Sequence, residues 1–426
     1  MKQSVLKIIN WFLATLARRV IDRHKPFVVA ITGSVGKTTT RDAVYRVLAD
    51  HFGEDKVRKN SGNLNTEIGV PLTILGYNSL PNKFLWPVFI FRAYLRTFQK
   101  DYPKYLVLEM GIDHKGDMAY LASIAKPDLG IITAAAPAHT ANFTGGLNEY
   151  LFEKTMMAVV TKKEGKVFVN GDYEILKKLP NENLVTVGIK NKDADYVGES
   201  INVTLQGMEY RIAKTGQKIA IKTKLLGRHL IYSQLIAFAV GQYFGIQSLK
   251  IKNSLESILP VNGRMNLLPG KNKTWIIDDT YNAASPASVI GALELISEIK
   301  HPGRKVAIIG NMNELGILEV EAHEEVGKIA KDSVDLAIFA GPNAYHAARA
   351  FHESYEKVLV YSNRLSLEKR LPKIINEGDI ILVKASQNKN YFEEVVKALM
   401  QEPEKASELL VRQSKWWLNK KTRSLK

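Results

Sequence analysis

The sequence predicts an α/β protein built from two mostly parallel sheets, and three observations carry that expectation. Short β-rich runs alternate with helical stretches from Pro26 onward. One of these runs leads directly through a glycine turn into a helix. A second series of the same alternation begins after Leu259-Pro-Val-Asn-Gly263. Strands alternating with helices bury a parallel sheet between helical layers.

Taken in order, residues 1–25 read as a basic amphipathic helix. Val5, Ile8, Ile9, Phe12, Leu13, Leu16 and Val20 recur at helical spacing among Lys2, Lys7, Arg18, Arg19, Arg23 and Lys25. Lys7 and Asn10 interrupt the apolar part and no small-residue cleavage site follows, which argues against a signal peptide. A central domain is expected over 26–259. Its strands are Phe27–Ile31, Tyr105–Glu109, Leu129–Thr133 and Lys166–Asn170, and Thr39–Phe52 is its first helix. Within it, 84–98 is an aromatic, basic insert without acids. Tyr196-Val197, Ile201–Leu205, Glu209–Ile212 and Lys218–Thr223 alternate with period two, the mark of a small antiparallel addition. Arg228–Phe244 returns to helix. A Rossmann-like domain follows over 260–410, with strands Thr274–Asp278, Lys305–Ile309, Leu336–Phe339, Val358–Tyr361 and Asp379–Lys384. The last segment, 411–426, is a basic tail carrying Trp416 and Trp417, readable as a third cationic patch or a frayed terminus.

Composition narrows the function classes. At 426 residues the chain has room for several domains. The absence of cysteine removes disulfides, thiolate metal sites and cysteine nucleophiles, and fits a reducing compartment. Lys and Arg (59) outnumber Asp and Glu (43), so the net charge of +16 favours anionic partners. No basic-aromatic single-strand signature or helix-turn-helix pattern accompanies that charge, which argues against nucleic acid. No apolar stretch reaches the roughly 20 residues of a membrane span. Helix 1–25 and insert 84–98 each fit either a helix packed on its own domain or a surface resting on lipid. The pattern leaves both open.

Chemistry concentrates first in Thr32-Gly-Ser-Val-Gly-Lys-Thr-Thr39, placed between a strand and a helix. The turn of Gly33, Ser34, Val35 and Gly36 lets successive N–H groups face phosphate oxygens. The helix start at Lys37, Thr38 and Thr39 adds its dipole. Lys37 would neutralise the β/γ-phosphates and Thr38 would ligate Mg²⁺. Ile31 stands where the common phosphate loop has its first glycine, so this is a shorter variant.

That loop, followed by Gly62–Thr73, Leu108-Glu-Met-Gly111 with Asp113–Asp117, Ala136-Pro-Ala-His139 and Gly227-Arg-His229, resembles the Mur ligase family, which builds peptidoglycan peptides. In the last domain Gly263-Arg264, Asp278–Ala283 with Ser285-Pro286, Met312–Gly316 with His323, and Leu382–Ser386 are similar to the branch that adds D-alanyl-D-alanine. The resemblance spans about residues 26–400.

What the resemblance implies is an ATP-dependent amide ligase working through an acyl phosphate. It makes Lys37, Glu109, His139 and Lys154 the catalytic set. Mg²⁺ would sit on Thr38, Glu109 and His139, and Lys154 would be carbamylated. The phosphate-loop residues with Arg264, Asp278, Tyr281 and Asn282 would hold ATP. Asn63, Asn65, Lys384 and Ser386 would contact the substrates, a muramyl peptide and a dipeptide. The family's usual N-terminal UDP-binding domain has no counterpart among the thirty or so residues before the loop, so the acceptor is expected to be held differently, to be lipid-linked, or to lack UDP altogether. Thr66, Ala134, Leu230 and Ser233 stand where Asn is common in the family, and the last two alter the adenine contacts expected. A cytoplasmic monomer, peripheral on the inner membrane face if the two apolar segments meet lipid, completes the expectation. Alternatives are a related ligase acting on a poly-γ-glutamyl or archaeal cell-wall peptide, a nucleic-acid-binding P-loop NTPase, and a membrane-bound scaffold without activity.

Overall fold

The computed structural model describes residues 3–62, 64–81, 85–135, 146–281, 283, 286–313, 315–351, 357–387 and 390–423. The chain divides into two compact units. One comprises Met1–Ile201, Tyr210–Ile221 and His229–Ile258, and the other Asn202–Glu209, Lys222–Arg228 and Leu259–Lys426.

The elements up to residue 258 are α1 (Gln3–His24), β1 (Phe27–Thr32), α2 (Lys37–Phe52), β2 (Val57–Lys59), α3 (Gly69–Ile74), α4 (Trp86–Arg96), β3 (Tyr105–Glu109), α5 (Asp117–Ile124), β4 (Leu129–Ile132), α6 (Gly146–Val160), β5 (Lys166–Asn170), α7 (Glu174–Lys177), β6 (Leu184–Gly188), β7 (Tyr196–Thr204), β8 (Gly207–Lys214), β9 (Gln217–Thr223), α8 (Arg228–Tyr243) and α9 (Ser248–Glu256). Nine strands form one sheet in the order β2-β3-β1-β4-β5-β6-β7-β8-β9. The pairs from β2 through β7 are parallel. Only two residues join β7 to β8 and β8 to β9, too few for a parallel crossover, so these strands run antiparallel. The mostly parallel sheet with an antiparallel addition is the architecture expected. Short β2 and β6 were not anticipated, because runs of three to five residues without alternation carry little periodic signal.

β1 lies between β3 and β4, so the chain leaves the sheet in opposite directions on its two sides. Doubly wound sheets bind ligands at such a switch point, beyond the carboxyl ends of the strands. Both faces of β1, β3 and β4 are covered, which explains their nearly unbroken apolar sequences.

The structure resolves how α1 is used. Ile9, Leu13, Leu16, Ala17 and Val20 are buried in the core of the first unit, while Ile8, Trp11 and Phe12 remain exposed. α1 packs on α3, α4 and α5, and Arg18 bonds the Ser123 carbonyl (3.0 Å) and hydroxyl (2.9 Å).

The second unit has its own sheet of β10 (Asn266–Pro269), β11 (Trp275–Asp279), β12 (Lys305–Gly310), β13 (Leu336–Ala340), β14 (Val358–Tyr361) and β15 (Ile380–Lys384), in the order β10-β11-β15-β12-β13-β14. All its pairs are parallel except β10 with β11. Lys415–Arg423 forms a helix rather than a frayed end. It is anchored by buried Lys421, which pairs with Glu393 (2.8 Å) and Glu394 (2.6 Å).

Because Leu13 is fully buried, Leu13→Ala should lower stability by about 2–5 kcal/mol. Urea unfolding checks this; an unchanged midpoint would mean that α1 is not part of the core.

Candidate functional site

The glycine turn closes at the carboxyl end of β1. Gly33 has φ 141°, and a Cβ there would lie 2.1 Å from Thr133 Oγ1, so only glycine lets the turn approach the end of β4. Thr133 clamps the turn from the other side, donating to the Val35 carbonyl at 2.5 Å, and the Ser34 N–H bonds the Ala134 carbonyl at 3.1 Å. α2 begins at Lys37 after left-handed Gly36, with no side-chain cap, which leaves its first N–H groups directed at the turn. Lys37 Nζ donates to the Gly33 carbonyl at 2.8 Å.

Glu109, the last residue of β3, is 2% exposed. A buried carboxylate must be paired or bonded. Thr38 Oγ1 donates to its Oε2 (2.9 Å), Asn65 Nδ2 to its Oε1 (2.8 Å), and the Arg41 guanidinium lies 3.5 Å from Oε2. Asn60 fixes the backbone beneath, accepting from the Glu109 N–H (2.6 Å) and donating to its carbonyl (3.0 Å). The structure therefore brings Lys37, Thr38, Asn65 and Glu109 together at the switch point. Arg41, Asn60 and Thr133 belong to the same assembly and carry no functional signal in the sequence, where they read as ordinary helix, loop and strand-end residues.

Lys154 on α6 is buried at 2% exposure rather than lying on a solvated helix face. Its Nζ stands 5.0 Å from the centre of the Tyr150 ring. Burial, then the like charge of Lys37, pulls it from 10.5 down to about 7, against the opposing pull of Asp113, Glu153 and Asp117. Tyr150 is itself pushed up to about 12 by burial and shares a hydrogen bond with Ser34, which ties α6 to the phosphate turn. Glu153 is held by the Met118 N–H at 2.8 Å. A lysine with a pKa near 7 keeps a substantial neutral fraction at that pH, and the neutral amine is a nucleophile able to add CO₂.

A hydroxyl and a carboxylate oxygen 2.9 Å apart, beside a phosphate turn, are hard oxygen donors of the kind Mg²⁺ takes alongside water and phosphate. The pair Thr38 and Glu109 fits such an ion. Among the described residues no group of three or more His, Asp or Glu gathers as a metal cluster. His139, Asn63 and Asn282 lie outside the described residues.

In the second unit the expected residues sit at the carboxyl ends of the neighbouring strands β11 and β15, with Arg264 just before β10. Arg264 lies over the Tyr281 ring, 4.2 Å from its centre. Asp278 is fully buried; Oδ1 accepts from the Thr280 N–H (3.1 Å) and hydroxyl (2.6 Å), while Oδ2 has no partner among the described residues. Burial raises this carboxyl to about 7, the Thr280 bonds opposing. Lys384 is buried and ion-paired with Asp279, its register neighbour across β11 and β15. Ser386 donates to the Ala283 carbonyl (2.7 Å) and accepts from the Asn313 N–H (3.0 Å). His323 accepts from the Met312 N–H (3.1 Å) and approaches the Glu319 carbonyl (2.7 Å), so it braces the loop after β12.

Comparison with known proteins places these sites in context. Residues 89–241 match the Mur ligase middle domain and residues 263–387 the Mur ligase, glutamate ligase domain. The chain is 29% identical over 395 residues to the UDP-N-acetylmuramoyl-tripeptide–D-alanyl-D-alanine ligase of Bacillus subtilis (strain 168), covering 92% of this chain and 79% of the relative. The Escherichia coli (strain K12) protein of the same name is 26% identical over 424 residues, covering 94% and 82%. The crystal structure of MurF ligase from Thermotoga maritima in complex with ADP superposes with a TM-score of 0.76 at 27% identity, covering 95% of this chain and 85% of that one.

The shifted lysine makes a signed prediction. Between about 7 and 10.5 the unfolded chain holds a proton on Lys154 that the folded chain has lost, so this group adds stability as pH rises through that window and withdraws it as pH falls. The unfolding free energy of the wild type from urea titration, minus that of Lys154→Met, should grow across the window by up to about 1.4 kcal/mol per pH unit. Parallel curves would show an unshifted amine.

Proposed function

Since this chain belongs to the Mur ligase family through its middle and C-terminal domains, we propose that it is an ATP-dependent amide ligase of cell-wall precursor synthesis, joining D-alanyl-D-alanine or a similar dipeptide to a muramyl-peptide carboxylate. The observation that carries the reading is the pairing of buried Glu109 with Thr38 directly behind the phosphate turn. The reading is also supported by relatives named for that reaction and by the likeness to an ADP-bound ligase.

The residues divide the chemistry between them. N–H groups of the 33–39 turn, with the start of α2 and Lys37, hold the triphosphate and neutralise its charge. Mg²⁺ on Thr38 and Glu109 would supply further neutralisation of the transferring phosphoryl group. The acceptor carboxylate oxygen forms a bond to the γ-phosphorus as the bond to the β,γ-bridging oxygen breaks, and ADP leaves. The dipeptide amine then attacks the acyl carbon, loses a proton, and expels phosphate from a tetrahedral intermediate. Asn65 holds Glu109 in place and faces the acceptor. Lys154, as the carbamate formed from its neutral amine and CO₂ with release of a proton, would add an anion beside Lys37. In the second unit we assign Arg264, Asp278 and Tyr281 to nucleotide recognition. There Arg264 offers a planar donor fork and Asp278 Oδ2 an acceptor. Lys384 is held by Asp279, so its contact with a dipeptide carboxylate requires an exchange of partners. An ATP-consuming step draws on the cytoplasmic nucleotide pool, and we place the reaction there.

Phosphate release tests this, with Mg²⁺ and bicarbonate, over muramyl peptides with and without UDP, each offered D-Ala-D-Ala. Release should require both substrates, and Lys37→Ala should lower kcat/KM by about 10³-fold or more, the size of effect a cationic partner of the transferring phosphoryl group supplies. Removing CO₂ should slow the wild type and leave Lys154→Arg, already impaired, unaffected. Release independent of acceptor and dipeptide would contradict the assignment.

A further inference from the structure

α4 is apolar on two sides. Its inner side is fixed: Trp86 and Ala93 are buried, Phe89 packs on Tyr77 at 4.1 Å, and Arg96 bonds the carbonyls of Leu75 (3.0 Å) and Gly76 (2.6 Å). Its outer stripe, Val88, Phe91 and Leu95 continuing to Phe98, is 50–62% exposed. A helix attached to its domain normally turns polar residues outward; an apolar outer face is a surface that something else covers. α1 packs beside α4 and exposes Ile8, Trp11 and Phe12 in the same manner.

Charge identifies the occupant. Between Lys83 and Lys100 there is no Asp or Glu, and Arg92, Arg96 and the two flanking lysines are the only charged residues. On α1, Lys7, Arg19 and Arg23 are exposed. A second copy of this chain, at net +16, would bring like charge against like. Aromatic and aliphatic groups fringed by Lys and Arg, on helices too polar to cross, match the boundary of an anionic bilayer. Among the described residues no helix is long and apolar enough to span one.

The same helix borders the catalytic end of the sheet. Lys7, Asn10, Trp11 and Arg18, spaced as one stripe of α1, line a cavity of about 640 Å³ whose far wall includes Gly111 and Asp113. Gly111 follows Glu109 by two residues, and its N–H bonds the Asn65 carbonyl at 2.7 Å. Asp113 is one of the carboxylates acting on Lys154. Asn10 Oδ1 is buried there without a hydrogen-bond partner among the described residues. Trp11 belongs both to this cavity and to the exposed apolar face.

We propose that the outer faces of α1 and α4 rest on an anionic phospholipid bilayer, so that the cavity beside α1 receives an acceptor carried on that bilayer. The surface stands independently, whereas the nature of the acceptor rests on the ligase reading above. Sedimentation of the full chain with phosphatidylglycerol–phosphatidylcholine vesicles tests the surface. The chain should pellet with these vesicles at low salt, and at least about tenfold less with phosphatidylcholine alone or at high salt. The double variant Phe91→Glu, Leu95→Glu should lose binding by a similar factor while keeping its far-UV spectrum and its phosphate release with a UDP-linked acceptor. Phe91→Ser with Leu95→Ser, which adds no charge, should lie between. With a polyprenyl-pyrophosphate-linked muramyl peptide in the vesicles, turnover should fall in the double variant and not in the wild type. Failure of the wild type to pellet, or a dimer that the double variant dissociates without changing vesicle binding, would overturn the proposal and leave the ligase reading intact. Vesicle binding without turnover of either acceptor would support the surface and overturn the ligase reading. Equal loss of turnover on soluble and vesicle-borne acceptors in the double variant would also overturn the proposal.

Discussion

The site depends on one buried carboxylate. Glu109 ends a strand in the centre of a sheet, where an ionised group is costly unless every oxygen is engaged. The chain meets that demand from two directions, α2 through Thr38 and Arg41 and the loop after β2 through the Asn65 side chain, while Asn60 of the same loop secures the Glu109 backbone. The same contacts that satisfy the acid also hold the helix start and the phosphate turn in place. Breaking the pairing would therefore release both the metal-fitting oxygens and the N-terminal end of α2.

Lys37 and Lys154 show the complementary strategy. Burial penalises the Lys154 ammonium, and repulsion from the Lys37 ammonium adds to that penalty, so its amine is pulled toward the neutral form that carbon dioxide requires. The acids around it, Asp113, Glu153 and Asp117, temper this effect without cancelling it. In the second unit Asp278 is the mirror case, a carboxyl raised by burial with one oxygen left for a partner, whereas Asp279 and Lys384 neutralise each other across adjacent strands.

Much of this was legible in the sequence where the signal is local. The phosphate turn, the strands beside it and the acid at the end of β3 each follow from a short run of residues and its neighbours. Burial was less legible. α6 places Glu153 and Lys154 side by side on a face that also carries Tyr150 and Met157, and no periodic pattern distinguishes such a charged pair from solvent-facing residues. The Lys384 contact depends on register between β11 and β15, more than a hundred residues apart, which composition does not encode. Asn60 and Arg41 act through position alone. For α1 the amphipathic pattern was plain, but only packing showed that one stripe enters the core while another lines a cavity.

The central claim is that the acceptor carboxylate is activated as an acyl phosphate in front of Glu109 and the 33–39 turn. Its most direct test is the fate of carboxylate oxygen: an acceptor labelled with the heavy isotope of oxygen at its reacting carboxylate, incubated with ATP, Mg²⁺ and dipeptide. The account predicts that each phosphate released carries one labelled atom. Unlabelled phosphate, formed at the same rate as the amide, would contradict it.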